Sequence, residues 1–260
     1  MHRLNMHKMP TPTRADYHRG VDDQMGVQRS RVNAGWCLGL LLTIFAFIAG
    51  ANSAGAQAPT QPVAMTKPIK IVAFGDSLTA GYLLAPNEAF PVVLGKALAA
   101  RGHTVEMINA GVSGDTTSAA RDRISWAVPP DADAVILELG ANDALRGLDP
   151  IAARRNLEAM IQGFQAQKAD ILLAGMLAPR SLGDAYTKTF DAIFPDLASK
   201  YGLLLYPFFL DKTALNPQLS LPDGLHPNAK GVEAIVAGIL PQAEALIARI
   251  KARRVAAAKG

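Results

Sequence analysis

The hydrophobic pattern changes character near residue 67. Before it lies one apolar run, 36–51. After it, short β-branched runs alternate with longer stretches whose apolar positions recur every three to four residues. Buried strands are predicted at 69–74, 104–109, 134–139, 171–175 and 203–206. Helices are predicted at 90–100, 118–126, 151–167, 185–200 and 229–251. Pro150 stands where it starts a helix, and Pro241 where it kinks one. Strands alternating with helices imply an α/β fold in which a five-stranded parallel sheet is covered on both faces, a three-layer α/β/α sandwich. In such open sheets ligands bind beyond the carboxyl ends of the strands. The polar, glycine-bearing segments after each strand are therefore where chemistry is expected.

The run 36–51 is preceded by Arg29 and Arg31 and followed by small residues ending Ala54-Gly55-Ala56. A basic flank, a short apolar stretch and an Ala-x-Ala site describe a secretory signal peptide. Cleavage is expected after Ala56, leaving Gln57 first and the protein exported to the periplasm or beyond. A retained anchor is the alternative, but a membrane span needs about 20 apolar residues. Residues before Met25 are polar and unpatterned, which suggests translation from Met25. The expected organisation is an N-terminal extension and signal peptide over 1–56, a linker over 57–66, the folded domain over 67–250 and a basic tail over 251–260.

Charge sharpens this division. The whole chain carries +4, yet residues 57–248 hold 15 Lys+Arg against 19 Asp+Glu, a net of −4. The basic excess lies at the two ends, and the tail reads as a solvated helix end. A mildly acidic body disfavours nucleic acid as a partner. The single cysteine, Cys37, falls in the export segment. The mature body therefore holds no thiol nucleophile, disulfide or cysteine metal site. With no His/Cys cluster either, no metal and no cofactor are expected.

Four strand exits carry the candidate chemistry: Gly75-Asp76-Ser77-Leu78 after the first strand, Ser113-Gly114-Asp115-Thr116 after the second, Gly140-Ala141-Asn142-Asp143 after the third, and Asp223-Gly224-Leu225-His226-Pro227-Asn228 after the fifth. A serine hydroxyl needs a neighbouring base, an orienting acid and preorganised donors for the oxyanion. Three of the five histidines precede residue 20. His103 enters the second strand at the opposite edge and reads as a solvated turn residue. His226 remains as the base. A tight turn can bring Asp223 to its Nδ1 and leave Nε2 for Ser77, although an Asp-x-x-His pair alone is a weak signal. Gly114 also reads as a turn glycine, and Asn142 as a cap; Asp76 and Asp143 read as acceptors for loop N–H groups. Leu78, Tyr82, Leu83, Leu84, Leu145, Leu148, Met176 and Leu177 either rim the site or belong to the core.

Together these segments resemble the blocks of the SGNH (GDSL) hydrolase superfamily, from about residue 69 to the last helix. The nearest likeness is to its bacterial arylesterase and multifunctional acyl-CoA thioesterase/lysophospholipase branch, through Leu137-Glu138-Leu139-Gly140, Leu145-Arg146-Gly147 and Pro207-Phe208-Phe209. The resemblance implies a flavodoxin-like sheet, Ser77 as nucleophile, His226 as base and Asp223 as the acid. It also implies an oxyanion hole from Ser77, Gly114 and Asn142. The expected partner is a small acyl ester or thioester, with no stable membrane span in the mature protein and a monomeric state favoured. One departure stands out: Arg180-Ser181-Leu182-Gly183 replaces an Asn-Tyr-Gly-like loop expected to border the pocket. A carbohydrate O-deacetylase and a noncatalytic lipid-binding module are the competing functions. An ordinary α/β-hydrolase and a nucleotide binder are disfavoured, since G-x-S-x-G, G-x-G-x-x-G and a P-loop are missing from the strand exits.

Overall fold

The computed structural model describes residues 67–259. The export segment, the linker, Cys37 and both proposed start positions lie outside the described residues.

Five parallel strands form the sheet: β1 (Ile69–Gly75), β2 (Val105–Gly111), β3 (Ala134–Glu138), β4 (Asp170–Ala174) and β5 (Leu204–Tyr206). Their order is β2-β1-β3-β4-β5, the flavodoxin-like arrangement, in which the chain reverses direction across the sheet between β1 and β3. Every residue of β3 is buried and β1 nearly so, whereas edge strand β2 is only partly covered. Their β-branched and leucine runs are what a strand buried on both faces requires.

Helix α1 (Ser77–Ala80) follows β1 directly, and α2 (Phe90–Ala100) returns along the sheet. After β2 come α3 (Thr117–Asp122) and α4 (Ile124–Ala127), and after β3, α5 (Ala141–Leu145) and α6 (Pro150–Ala166). Then α7 (Asp184–Asp191) and α8 (Ile193–Tyr201) precede β5, and α9 (Ala229–Ala257) closes the domain. Helices α2 and α9 pack together on one face; α3, α6, α7 and α8 cover the other. Phe74 and Phe164 meet edge-on at 5.8 Å, and Phe90 and Phe209 at 5.0 Å, geometries that aromatic quadrupoles favour.

Three predicted helices are revised. The stretch 118–126 breaks at Arg123, whose guanidinium turns inward to Asp115 (2.6 Å) and the Gly75 carbonyl (2.9 Å) and lies over the Phe74 ring. The stretch 185–200 breaks at Ala192. Pro195 lacks an N–H and its ring crowds the carbonyl four residues back, which weakens the helix in the turn where it breaks. The last helix runs six residues beyond the predicted end, through Pro241 to Ala257. It is long and apolar enough to cross a membrane by composition. Its apolar residues Val232, Ile235, Val236, Ile239, Ala243, Leu246 and Ile250 are nevertheless buried at helical spacing.

The basic end is the exposed helix end expected of it, but two of its arginines also reach back to the sheet. Arg254 donates to the carbonyls of Lys67 and Pro68 and to the Asp133 carboxylate at 2.7 Å. Arg253 donates to the carbonyls of Lys168 and Asp133 and pairs with Asp170 at 3.2 Å. His103, expected in solvent, is half-buried against α9, 3.3 Å from Glu244.

Candidate active site

The four strand exits meet at the carboxyl edge of the sheet, at the reversal between β1 and β3. Asp76 caps α1 by accepting the Leu78 N–H at 3.0 Å. This tight turn needs a residue without a side chain at Gly75: a Cβ there would strike the Thr79 hydroxyl and the Glu138 carboxylate. Ser77 is consequently the first residue of a helix, its hydroxyl at the surface of a buried turn.

Between β5 and α9 the chain folds back on itself. Leu221 donates to the His226 carbonyl (2.7 Å), and Asn228 donates to the Leu219 carbonyl (2.9 Å). The Asn228 side chain holds the same loop through the Gln218 and Ser220 carbonyls while its Oδ1 caps α9 at Gly231. Inside this loop Asp223 Oδ1 accepts the N–H groups of Leu225 and His226 at 2.9 and 3.0 Å. Asp223 Oδ2 accepts His226 Nδ1–H at 2.7 Å, and the Ser77 hydroxyl lies 2.8 Å from His226 Nε2. A carboxylate only accepts, so it holds the proton on Nδ1 and leaves Nε2 as the acceptor for the serine. Partial burial opposes ionisation of Asp223. The two backbone N–H groups and the imidazole outweigh it and hold the carboxyl at about 2. The Tyr82 ring leans on the imidazole, centroids 4.6 Å apart.

Opposite the hydroxyl stand the donors. Among the described residues, the N–H groups of Ser77 and Gly114 donate to no other protein group. Gly114 has φ +87°, a left-handed conformation that suits glycine. The Asn142 amide donates to Asp76 Oδ2 at 3.2 Å, which leaves its second N–H free. Asp76 thus does more than accept a loop N–H: it sets the direction of a candidate oxyanion donor. Asp143 keeps the structural role read for it, accepting the Thr117 N–H and hydroxyl at 2.8 and 2.7 Å.

Beneath the site two carboxyls share a buried region. Burial, then the neighbouring Asp76 charge, pushes Glu138 well above the ordinary carboxylate range. Burial raises Asp76 to about 6 against the Leu78 and Asn142 hydrogen bonds that favour its charge. Thr79 lies 2.7 Å from Glu138 Oε2, while Oε1 has no protein partner among the described residues. A protonated Glu138 fits this setting, since an unpaired buried charge is costly. Neither this pair nor Arg146, described below, is signalled by spacing alone.

The apolar candidates divide. Leu78 and Met176 are core, and Leu84 packs against it. Tyr82, Leu83, Leu145, Leu148 and Leu177 are exposed, and Leu182 of the 180–183 loop lies toward Gly147. A polar hollow lined by Lys168, Asp170, Tyr201, Arg249 and Arg253 opens at the other edge of the sheet, away from all four strand exits.

Comparison with known proteins agrees with this arrangement. An arylesterase of Vibrio mimicus is 36% identical over 61% of this chain and 80% of its own. The thioesterase 1/protease 1/lysophospholipase L1 of Escherichia coli is 32% identical over 68% and 84%. Among solved structures AlinE4, described as an SGNH-hydrolase family esterase, is 47% identical with a TM-score of 0.59, covering 67% of this chain and 94% of that one. The model of the GDSL-like lipase/acylhydrolase family matches residues 73–234, and with the sheet order and strand-exit residues in accord, the chain belongs to that family.

Proposed function

We propose that this protein hydrolyses carboxylic esters and thioesters through an acyl-enzyme on Ser77. The observation that carries it is the continuous relay from the Ser77 hydroxyl through His226 to Asp223, at 2.8 and 2.7 Å. His226 Nε2 takes the hydroxyl proton as Oγ attacks the acyl carbon. The Ser77 and Gly114 N–H groups and the Asn142 amide receive the developing oxyanion. Collapse breaks the bond to the alkoxide or thiolate leaving group, which takes the former serine proton from His226 and departs as alcohol or thiol. Water then attacks the acyl carbon as His226 takes its proton, and collapse breaks the bond to Ser77 Oγ, which regains that proton as the carboxylic acid leaves.

For substrate, the exposed Tyr82, Leu83, Leu145, Leu148 and Leu177 favour an apolar acyl chain or aryl leaving group over a sugar. The relatives named arylesterase and thioesterase point the same way. We read the enzyme as exported, with Gln57 as its mature N-terminus; the N-terminal sequence of the protein recovered from its native compartment checks this.

The functional test is a panel of p-nitrophenyl esters, acyl-CoAs and lysophospholipids, assayed with wild type and Ser77→Ala. Wild type should turn over at least one class and be labelled by a fluorophosphonate at Ser77. Ser77→Ala should lose both properties. Normal turnover by Ser77→Ala removes the proposal.

A further inference from the structure

The Asn142 side chain is useful to an oxyanion only in one of its two amide orientations. Rotated by half a turn, it would present a carbonyl oxygen to a developing negative charge. Asp76 supplies half of what fixes the orientation, accepting from Nδ2 at 3.2 Å. The other half comes from Arg146, one helical turn along α5 from Asn142. Its Nη2 donates to the Gly114 carbonyl at 2.9 Å and reaches Asn142 Oδ1 at 3.5 Å, the long end of hydrogen-bond range. Arg146 itself is exposed.

We propose that Arg146 is a positioning residue that aligns the oxyanion donors, by tethering the Gly114 backbone and the Asn142 amide to one guanidinium. This takes Ser77 as the nucleophile. A carboxylate on one side accepts but cannot donate, and a guanidinium on the other donates but cannot accept. Between them the amide has a single satisfied orientation, with its second N–H left for the substrate. The tether also joins strand exits 32 residues apart in the chain. Gly114 is in the left-handed conformation, and a Cβ added there would meet only Arg146 Nη2, at 3.8 Å, so the guanidinium is its nearest side-chain neighbour on that side. Lysine is a poor substitute, since an ammonium is a point charge on a flexible stem without the planar fork.

The test pairs steady-state kinetics with two ligands of the same acyl chain. One is a trifluoromethyl ketone, which forms an oxyanion on Ser77; the other is the carboxylic acid product. Arg146→Ala should lower kcat by about 10-fold or more, less than loss of an oxyanion donor itself, with KM nearly unchanged. Ketone affinity should fall in parallel with kcat while product affinity holds. Ethylguanidinium added to Arg146→Ala should restore turnover, and Arg146→Lys should recover only part of it. In an Asn142→Ala background, Arg146→Ala should cost much less than in wild type, because the two act as a unit. The clamp is overturned by a kcat within about twofold of wild type, by an effect on KM alone, or by equal losses of ketone and product affinity. Should Arg146→Ala not fold, Arg146→Lys carries the same comparison. Wild-type turnover and Ser77 labelling are the controls: their absence counts against the hydrolase proposal, whereas their presence beside an unimpaired Arg146→Ala counts against the clamp.

Discussion

Ser77 and His226 stand 149 positions apart in sequence and 2.8 Å apart in space. His226 was legible because the body held two histidines and one entered a strand from the opposite edge, whereas Ser77 was legible through the likeness of the strand exits to the SGNH blocks. Asp223 was a weak signal by its three-residue separation from His226 and gained weight only beside the other three strand exits. Its position makes a specific demand, because an amide in its place no longer enforces the Nδ1–H tautomer. Asp223→Asn should therefore lower kcat by on the order of 10³ or more with little change in KM, in a p-nitrophenyl ester assay. Retention of a tenth of the activity would exclude Asp223 from the relay. Asp76 and Arg146 were less legible because their work is done across 66 and 32 positions, on a partner that only the folded sheet brings near. Asp76→Asn sets an amide against an amide. It should cost about 10² in kcat, as removal of one oxyanion donor does, while the Ser77–His226 pair still reacts with a fluorophosphonate. A variant that loses the labelling as well would mean the α1 turn itself had moved.

At the scale of elements, hydrophobic periodicity placed all five strands and all the long helices, since a buried stripe is written into consecutive residues. It missed what single side chains do to helix ends. Arg123 interrupts one helix because its guanidinium is better satisfied inside the sheet, and Pro195 interrupts another by covalent geometry. Short helices α1 and α5 carry too few residues to show a period, and both begin at strand exits where the site is built. The arginine contacts at the end of α9 were not legible for a third reason: a run of cations looks the same whether it meets water or backbone carbonyls. The structure makes Arg254 a tie between that helix, Lys67, Pro68 and Asp133. Arg254→Ala should reduce stability by about 1–2 kcal/mol, the range for a partly exposed charge-assisted hydrogen-bond set. A lowered denaturant midpoint at unchanged slope is the expected readout. An unaltered midpoint would return the C-terminal turns to the status of a loose end.

For the whole molecule, two carboxyls buried beneath the catalytic edge tie stability to pH. A carboxyl whose folded pKa lies above its unfolded one contributes stability that is complete below the unfolded value and is lost as pH rises through the folded value. Asp76, at about 6 against 3.8, places the start of that loss between about pH 4 and 6, and Glu138 extends it upward. Asp223, held at about 2, acts oppositely, its contribution disappearing as pH falls below about 4. Melting temperature should thus decline on the alkaline side. Glu138→Gln, isosteric with the protonated acid, should match the wild-type melting temperature near pH 4, below the unfolded carboxyl value, and weaken the decline above it. An identical decline in the variant would show that Glu138 does not hold its proton.

The first of the five strands in chain order ends up inside the sheet, flanked by two later ones, and the carbonyls leading into it are grasped by Arg254 of α9. A polypeptide growing from its amino end therefore makes β1 long before the arginine that grips the carbonyls ahead of it. That hold waits on Arg254, so truncation ahead of it should loosen an early strand rather than a dispensable edge.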